Sequence, residues 1–225
     1  MAQFFTSDAH FGHESICGPE GFEEGRRIFK TVEEMNETII KNWNAVVEPQ
    51  DQVYHLGDFS MKLKRDEVMA IIKRLKGQII LIKGNHDTTK MFNYLERNNY
   101  MYAGKPKLVI NWIGPKQIKH RGVSMNLTHY PLCIGGRGKL VSIHGHIHSD
   151  TMIENYMLNV GMDSPEIPKL PFGQPLTINQ VVDAIELKKS TNPVSLFEYL
   201  DFKEDAPEWM KAHNKRGEAP VRKKE

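Results

Sequence analysis

Two periods alternate in the hydrophobic pattern of this chain. Short apolar runs, "QFFTS", "DQVYHL", "QIILI", "KLVINWI", "VSMNLT" and "LVSIH", recur between polar turns from Gln3 to His144 and have the length and side-chain types of strands. Between the first two lies "TVEEMNETIIKNWN", where Val32, Met35, Ile39 and Trp43 share one helical face and Thr31 forms a capping box with Glu34. A second helix is predicted from Arg65 to Leu75, with Val68, Ile71, Ile72 and Leu75 inward and Gly77 just beyond as a stop signal. A third starts at Thr177, where Gln180 completes a capping box ahead of Val181, Val182 and Ile185. "QIILI" is apolar at successive positions, as befits a strand covered on both faces. Strand, helix and strand alternate, which predicts an α/β layered fold.

After Lys188 the pattern weakens. Residues 1–188 are therefore read as one domain and residues 189–225 as an extension, docked in part through "SLFEYL" and frayed beyond Trp209, where lysines and arginines accumulate. The 225 residues are 40% hydrophobic and 26% charged, ordinary for a globular chain, so composition names no activity. A net charge of +2 falls short of a dedicated nucleic-acid binder. Two cysteines, Cys17 and Cys133, cannot build a disulfide framework, and no CxxC pair offers a zinc knuckle. No signal peptide or membrane-spanning run is visible, and a cytoplasmic setting is expected.

The chemistry lies in the turn at the end of each strand. "FFTS" runs into Asp8 and His10, "VYHL" into Gly57 and Asp58, "IILIK" into Asn85, His86 and Asp87, "MNLT" into His129, and "VSIH" into His146 and His148. In open α/β sheets, sites form outside the carboxyl ends of the strands, so these five turns can converge. Each turn alone means little, because Asp, Asn and Gly start turns for local reasons. Together they offer a mixed nitrogen and oxygen set suited to Mn, Fe or Zn and unsuited to thiolate chemistry. Seven groups exceed the needs of one tetrahedral ion, and a shared carboxylate would divide them into two open sites. His144 still belongs to its strand and reads as a packed core residue, since Gly145 marks the turn.

In this order "DAH", "GD", "GNHD", the His of "THYP" and "GHIH" resemble the motifs of the calcineurin-like metallophosphoesterases, over about Gln3 to Gly161. The resemblance implies the metallo-dependent phosphatase fold, a four-layer αββα sandwich of two mixed sheets with outer helices and a dinuclear site at the strand ends. It implies that Asp8, His10 and His148 hold one divalent ion, that Asn85, His129 and His146 hold another, and that Asp58 lies between. His86 would protonate the leaving oxygen, with Asp87 orienting its ring. Two cations would neutralise the phosphate and lower the pKa of a bridging water, while an imidazole delivers a proton near neutral pH. Manganese is the expected metal, with iron, zinc or nickel as alternatives.

"GDFSMK" lacks the further Asp and Arg that many members carry after "GD". "DAHFGHESI", then Arg27 and Phe29, then "VEEMNETIIKNWN" is similar instead to a compact bacterial and bacteriophage branch. His13 and Arg27 are candidates to touch the substrate phosphate or its leaving group, since an arginine fork donates two bonds at once. Arg27 has an alternative, a surface ion pair beside Glu23 or Glu24. Tyr130 and Pro131 are read as pocket wall, Asn159 and Asp163 as ordering a loop. The implied substrate is a phosphodiester of a nucleotide or nucleic acid. Phosphomonoesterase, protein phosphatase, nucleotide pyrophosphate hydrolase and noncatalytic scaffold are the alternatives. The oligomeric state is left open.

Overall fold

A computed structural model describes residues 1–112, 114–134 and 140–191. In chain order the elements are β1 (Gln3–Thr6), α1 (Val32–Val46), β2 (Gln52–His55), α2 (Arg65–Arg74), β3 (Gln78–Ile82), α3 (Thr89–Arg97), the short pair β4 (Met101–Tyr102) and β5 (Lys105–Pro106), β6 (Leu108–Asn111), β7 (Lys116–His120), β8 (Val123–Leu127), β9 (Leu140–His144), β10 (Met157–Asn159), β11 (Leu176–Thr177) and α4 (Ile178–Thr191). Single 3-10 turns occupy Glu14–Ile16 and Glu24–Arg26.

One sheet has the order β11-β1-β2-β3-β6 and a second the order β10-β9-β8-β7. β1, β2, β3 and β6 are mutually parallel with β11 antiparallel, and β8, β9 and β10 are parallel with β7 antiparallel. Both sheets are thus mixed, and the carboxyl ends within each parallel set point one way. A parallel bridge between Ser7 and Gly161 ties the end of β1 to the chain after β10.

The period-two rule sorts the first sheet's residues between two cores. Phe4, Val53, Ile79 and Leu81 join Met35, Ile39, Trp43, Val68, Ile72 and Phe92 of the helices. Phe5, Tyr54, Ile80 and Ile82 join Met125, Leu127, Val141, Ile143 and Leu158 of the second sheet. "QIILI" is accordingly buried at every position. Each fully buried side chain of this size contributes about 1.5–3 kcal/mol.

Local signals place the helices. Thr31 Oγ1 accepts from Glu34 N at 3.2 Å, and the Glu34 carboxylate reaches Lys30 N at 2.8 Å. At α4, Thr177 Oγ1 accepts from Gln180 N while Gln180 Oε1 accepts from Thr177 N, the complete box. α4 continues to Thr191, three residues past the weakening of its pattern. The rest of the extension, 192–225, which holds "SLFEYL", lies outside the described residues.

Helix α3 and strands β7, β10 and β11 were not expected. α3 does carry an apolar face, Phe92 and Leu95 buried with Met91 and Tyr94 packed beside them, but over only nine residues, whereas β7, "KQIKH", is largely exposed and writes no strong period into the sequence. No helix among the described residues is long and apolar enough to cross a membrane.

Candidate metal centre

Every candidate ligand stands on a loop that leaves the carboxyl end of a strand: Asp8 and His10 after β1, Asp58 after β2, Asn85 after β3, His129 after β8, and His146 and His148 after β9. The loops run close together. Asp8 N donates to Gly57 O at 3.0 Å, His10 N to Asp58 O at 3.1 Å, and Gly145 N to His129 O at 3.0 Å. Two glycines permit the approach. A Cβ on Gly84 would lie 2.2 Å from Asp58 Oδ1, and one on Gly145 would lie 2.1 Å from Asp8 Oδ2.

The backbone is strained where the candidate ligands sit. Of the eight non-glycine residues at positive φ among the described residues, five are Asp8 (57°), His10 (51°), Asp58 (54°), His146 (73°) and His148 (48°). Such conformations cost on the order of 1–3 kcal/mol each and persist only where the surroundings over-determine them.

The side chains converge on Asp58. Its Oδ2 lies 3.7 Å from His10 Nε2, 3.4 Å from His129 Nε2 and 3.9 Å from His86 Nε2. Asn85 Oδ1 lies 2.7 Å from His129 Nε2 and 2.9 Å from His146 Nδ1. Asp8, His10 and His148 bring donor atoms within 4.8 Å of one another, as do Asp8, Asp58 and His129. The two donor groups overlap at one buried carboxylate, Asp8.

Electrostatics show what this arrangement lacks. Asp8 and Asp58 are fully or almost fully buried, and no lysine or arginine among the described residues pairs with either carboxylate. Burial pushes Asp8 upward. Burial alone would also raise Asp58, but the His129 bond and charge outweigh it and hold Asp58 at about 2. His129 is raised in turn, the Asp58 and Asp8 carboxylates overcoming its burial. His10 is lowered to about 2 by burial and the nearby Arg26 charge. Its Nε2 is buried without a hydrogen-bond partner. Buried carboxylates without a lysine or arginine partner, beside an orphaned imidazole nitrogen, fit a cation. The donor set, oxygen and imidazole without sulfur, fits a borderline divalent metal.

Hydrogen bonds behind the donors fix the rings. His129 Nδ1 donates to the Leu56 carbonyl at 2.9 Å, which fixes the ring with Nε2 facing inward. His148 Nδ1 faces Asp163 Oδ2 at 3.0 Å. Asp163 is held in turn by Arg26, whose NH1 and NH2 also donate to the carbonyls of Ala9 and Asp8.

The sequence-based candidates fall in different places. His13 is buried with Nδ1 3.1 Å from His10 Nδ1, and burial with the His86 charge lowers it to about 4. Tyr130 is exposed at the rim, its ring 4.6 Å from that of His146. His86 sits beside His10, ring to ring 5.4 Å, and its backbone N–H donates to Asp58 Oδ1 at 2.8 Å. Asp87 was expected to orient the His86 ring. Instead its carboxylate accepts from the backbone N–H groups of Asp58, Phe59 and Gly84, pinning the β2 and β3 loops together. Arg27 lies on the surface with Nε on Gly21 O. The arginine that enters the cluster is its neighbour Arg26, which sequence reasoning missed because nothing in the local pattern distinguishes the two. Asp163, expected to order a loop, joins Arg26 to His148. His144 stays in β9, buried, with Nδ1 2.9 Å from Gly145 O.

The sequence profile of the calcineurin-like phosphoesterase superfamily domain matches residues 1–171. The chain belongs to that superfamily. It is 29% identical over 195 residues to an uncharacterized protein of Methanocaldococcus jannaschii, covering 85% of this chain and 96% of the other. It is 27% identical over 188 residues to the Gene 66 protein of Mycobacterium phage L5, covering 72% and 86%. A crystal structure of a protein of unknown function from Aquifex aeolicus is similar in fold, with a TM-score of 0.58 and 26% identity, covering 81% of this chain and 98% of that one. Membership makes the buried His and Asp clusters consistent with the metal site of a phosphoesterase.

Proposed function

We propose that the chain is a dinuclear metal-dependent phosphoesterase that favours phosphodiesters of nucleotides or nucleic acids. Asp8, His10 and His148 would hold one divalent ion, Asn85, His129 and His146 would hold the other, and Asp58 would serve both sets. Manganese is the favoured metal, with iron, zinc or nickel next. Two bound ions would supply charge for the phosphate and a water of lowered pKa. The observation that carries this reading is the position of Asp58 Oδ2, within 4 Å of His10 Nε2, His129 Nε2 and His86 Nε2.

The chain's own residues provide the rest. His86, partly exposed and beside Asp58, delivers a proton to the leaving oxygen. Asp87 keeps the His86 loop in register with the Asp58 loop, and His13 lines the same side as His86, ring centroids 6.4 Å apart. The shared core between the two sheets supports a stacked-sheet sandwich, with α1, α2 and α3 outside the first sheet.

The test is hydrolysis of bis-p-nitrophenyl phosphate against p-nitrophenyl phosphate by metal-stripped full-length protein after adding Mn, Ni, Fe or Zn. Metal-dependent release with the diester favoured is expected. No release from either ester, with two ions bound, would leave a noncatalytic scaffold.

A further inference from the structure

A cavity of about 340 Å³ opens beside the candidate metal centre. It is bounded by Lys83, Asn111, Trp112, Thr128, His129 and Tyr130, so one wall is a candidate ligand and another leads directly into "GNHD". This volume lies at the lower end of the range for small-ligand pockets, about 300–1,000 Å³.

Its two aromatic walls are anchored on their protein side and open on the other. Trp112 donates from Nε1 to Glu96 Oε1 at 3.2 Å and meets the Phe92 ring edge-on, yet 40% of it is exposed. Tyr130 meets His129 and His146 edge-on, its carbonyl is held by Thr128 Oγ1 at 2.7 Å, and 52% of it is exposed. Rings already fixed in place lose little entropy when a flat ligand stacks on them. Lys83 is exposed at the same rim, with no hydrogen-bond or ion-pair partner among the described residues.

We propose that this cavity is a subsite for one nucleobase, carried by the ester whose phosphate sits at the metal centre. The proposal rests on the phosphoesterase reading above. The base stacks on Trp112 and Tyr130, Lys83 meets the phosphate or a base carbonyl, and Asn111 and Thr128 offer polar edges. The cavity is too small for a run of bases, so the occupant is a single nucleoside.

The experiment compares two diesters with the same leaving group on the metal-loaded full chain: thymidylate p-nitrophenyl ester and methyl p-nitrophenyl phosphate. The thymidine ester should have kcat/KM at least about tenfold higher, in line with the worth of one base stacked on an aromatic side chain. Trp112→Ala should bring that ratio close to one, and Trp112→Phe, which keeps a ring, should hold it within about threefold of wild type. Lengthening the thymidine ester by further nucleotides should add little, and a large gain would replace the single-base subsite with an oligonucleotide groove.

Equal kcat/KM for both esters would overturn the subsite and leave the phosphoesterase standing. Hydrolysis of neither would overturn the phosphoesterase, and calorimetry then decides the subsite. Thymidylate binding more tightly than inorganic phosphate, with the preference lost in Trp112→Ala, supports it. Equal affinities overturn it.

Discussion

Arg26 and Asp163, 137 residues apart, form a bidentate pair with Nε 2.8 Å from Oδ1 and NH2 2.5 Å from Oδ2. The guanidinium is fully buried, and it also donates to the carbonyls of Asp8, whose backbone is left-handed, and of Ala9. One ion pair thus supports the strained β1 loop on one side and the His148 ring on the other.

Asp163→Ala leaves the Arg26 charge buried without its partner and should destabilise the fold by about 3–5 kcal/mol, read by denaturant unfolding. Asp163→Asn keeps the shape but weakens the bond that orients His148, and metal affinity should fall by about 10–100-fold in calorimetry. Unchanged affinity in the Asn variant would show that His148 is oriented by other contacts.

Asp58→Asn removes the carboxylate charge that His10, His129 and His86 all approach. Metal content by elemental analysis and turnover should fall together. A fully metallated, active variant would take Asp58 out of the position between the ions.

His86→Ala should retain both ions, because the side chain is not assigned as a ligand. Turnover should fall about 10²–10⁴-fold on alkyl esters with poor leaving groups and much less on nitrophenyl esters, which depart without a proton. Equal losses on both would argue against the proton-donor role.

Lys107 is remote from this chemistry and titrates with stability. It is fully buried, with Nζ 2.5 Å from Leu75 O and 2.6 Å from Gly77 O, and burial lowers it from 10.5 to about 8. Between those values the unfolded chain binds the proton and the folded chain does not, so the contribution of this group to stability rises with pH across the window. It is worth about 3 kcal/mol in all. The difference in unfolding free energy between wild type and Lys107→Met, followed from pH 7.5 to 10.5 (roughly the titration window), should shift toward the wild type. A flat difference would mean that the lysine keeps its proton.

Much of the first sheet was legible because its residues obey local rules. "QIILI" is apolar throughout since helices cover one face and the second sheet the other, and Thr31 and Thr177 cap helices with partners three residues away. The second sheet was less legible. β7 carries little burial, and the three residues of β10 are too few to establish a period.

The sequence by itself determined the strand-then-turn rhythm and the chemical types at each turn, because periodicity and turn chemistry act within a few residues. Tertiary structure decided the pairings. Burial chose Arg26 over Arg27, joined Asp163 to His148, and gave Asp87 to the backbone N–H groups of Gly84, Asp58 and Phe59. A buried charge takes whichever partner the packed strands bring within reach, and that distance is not written in any local stretch of the chain.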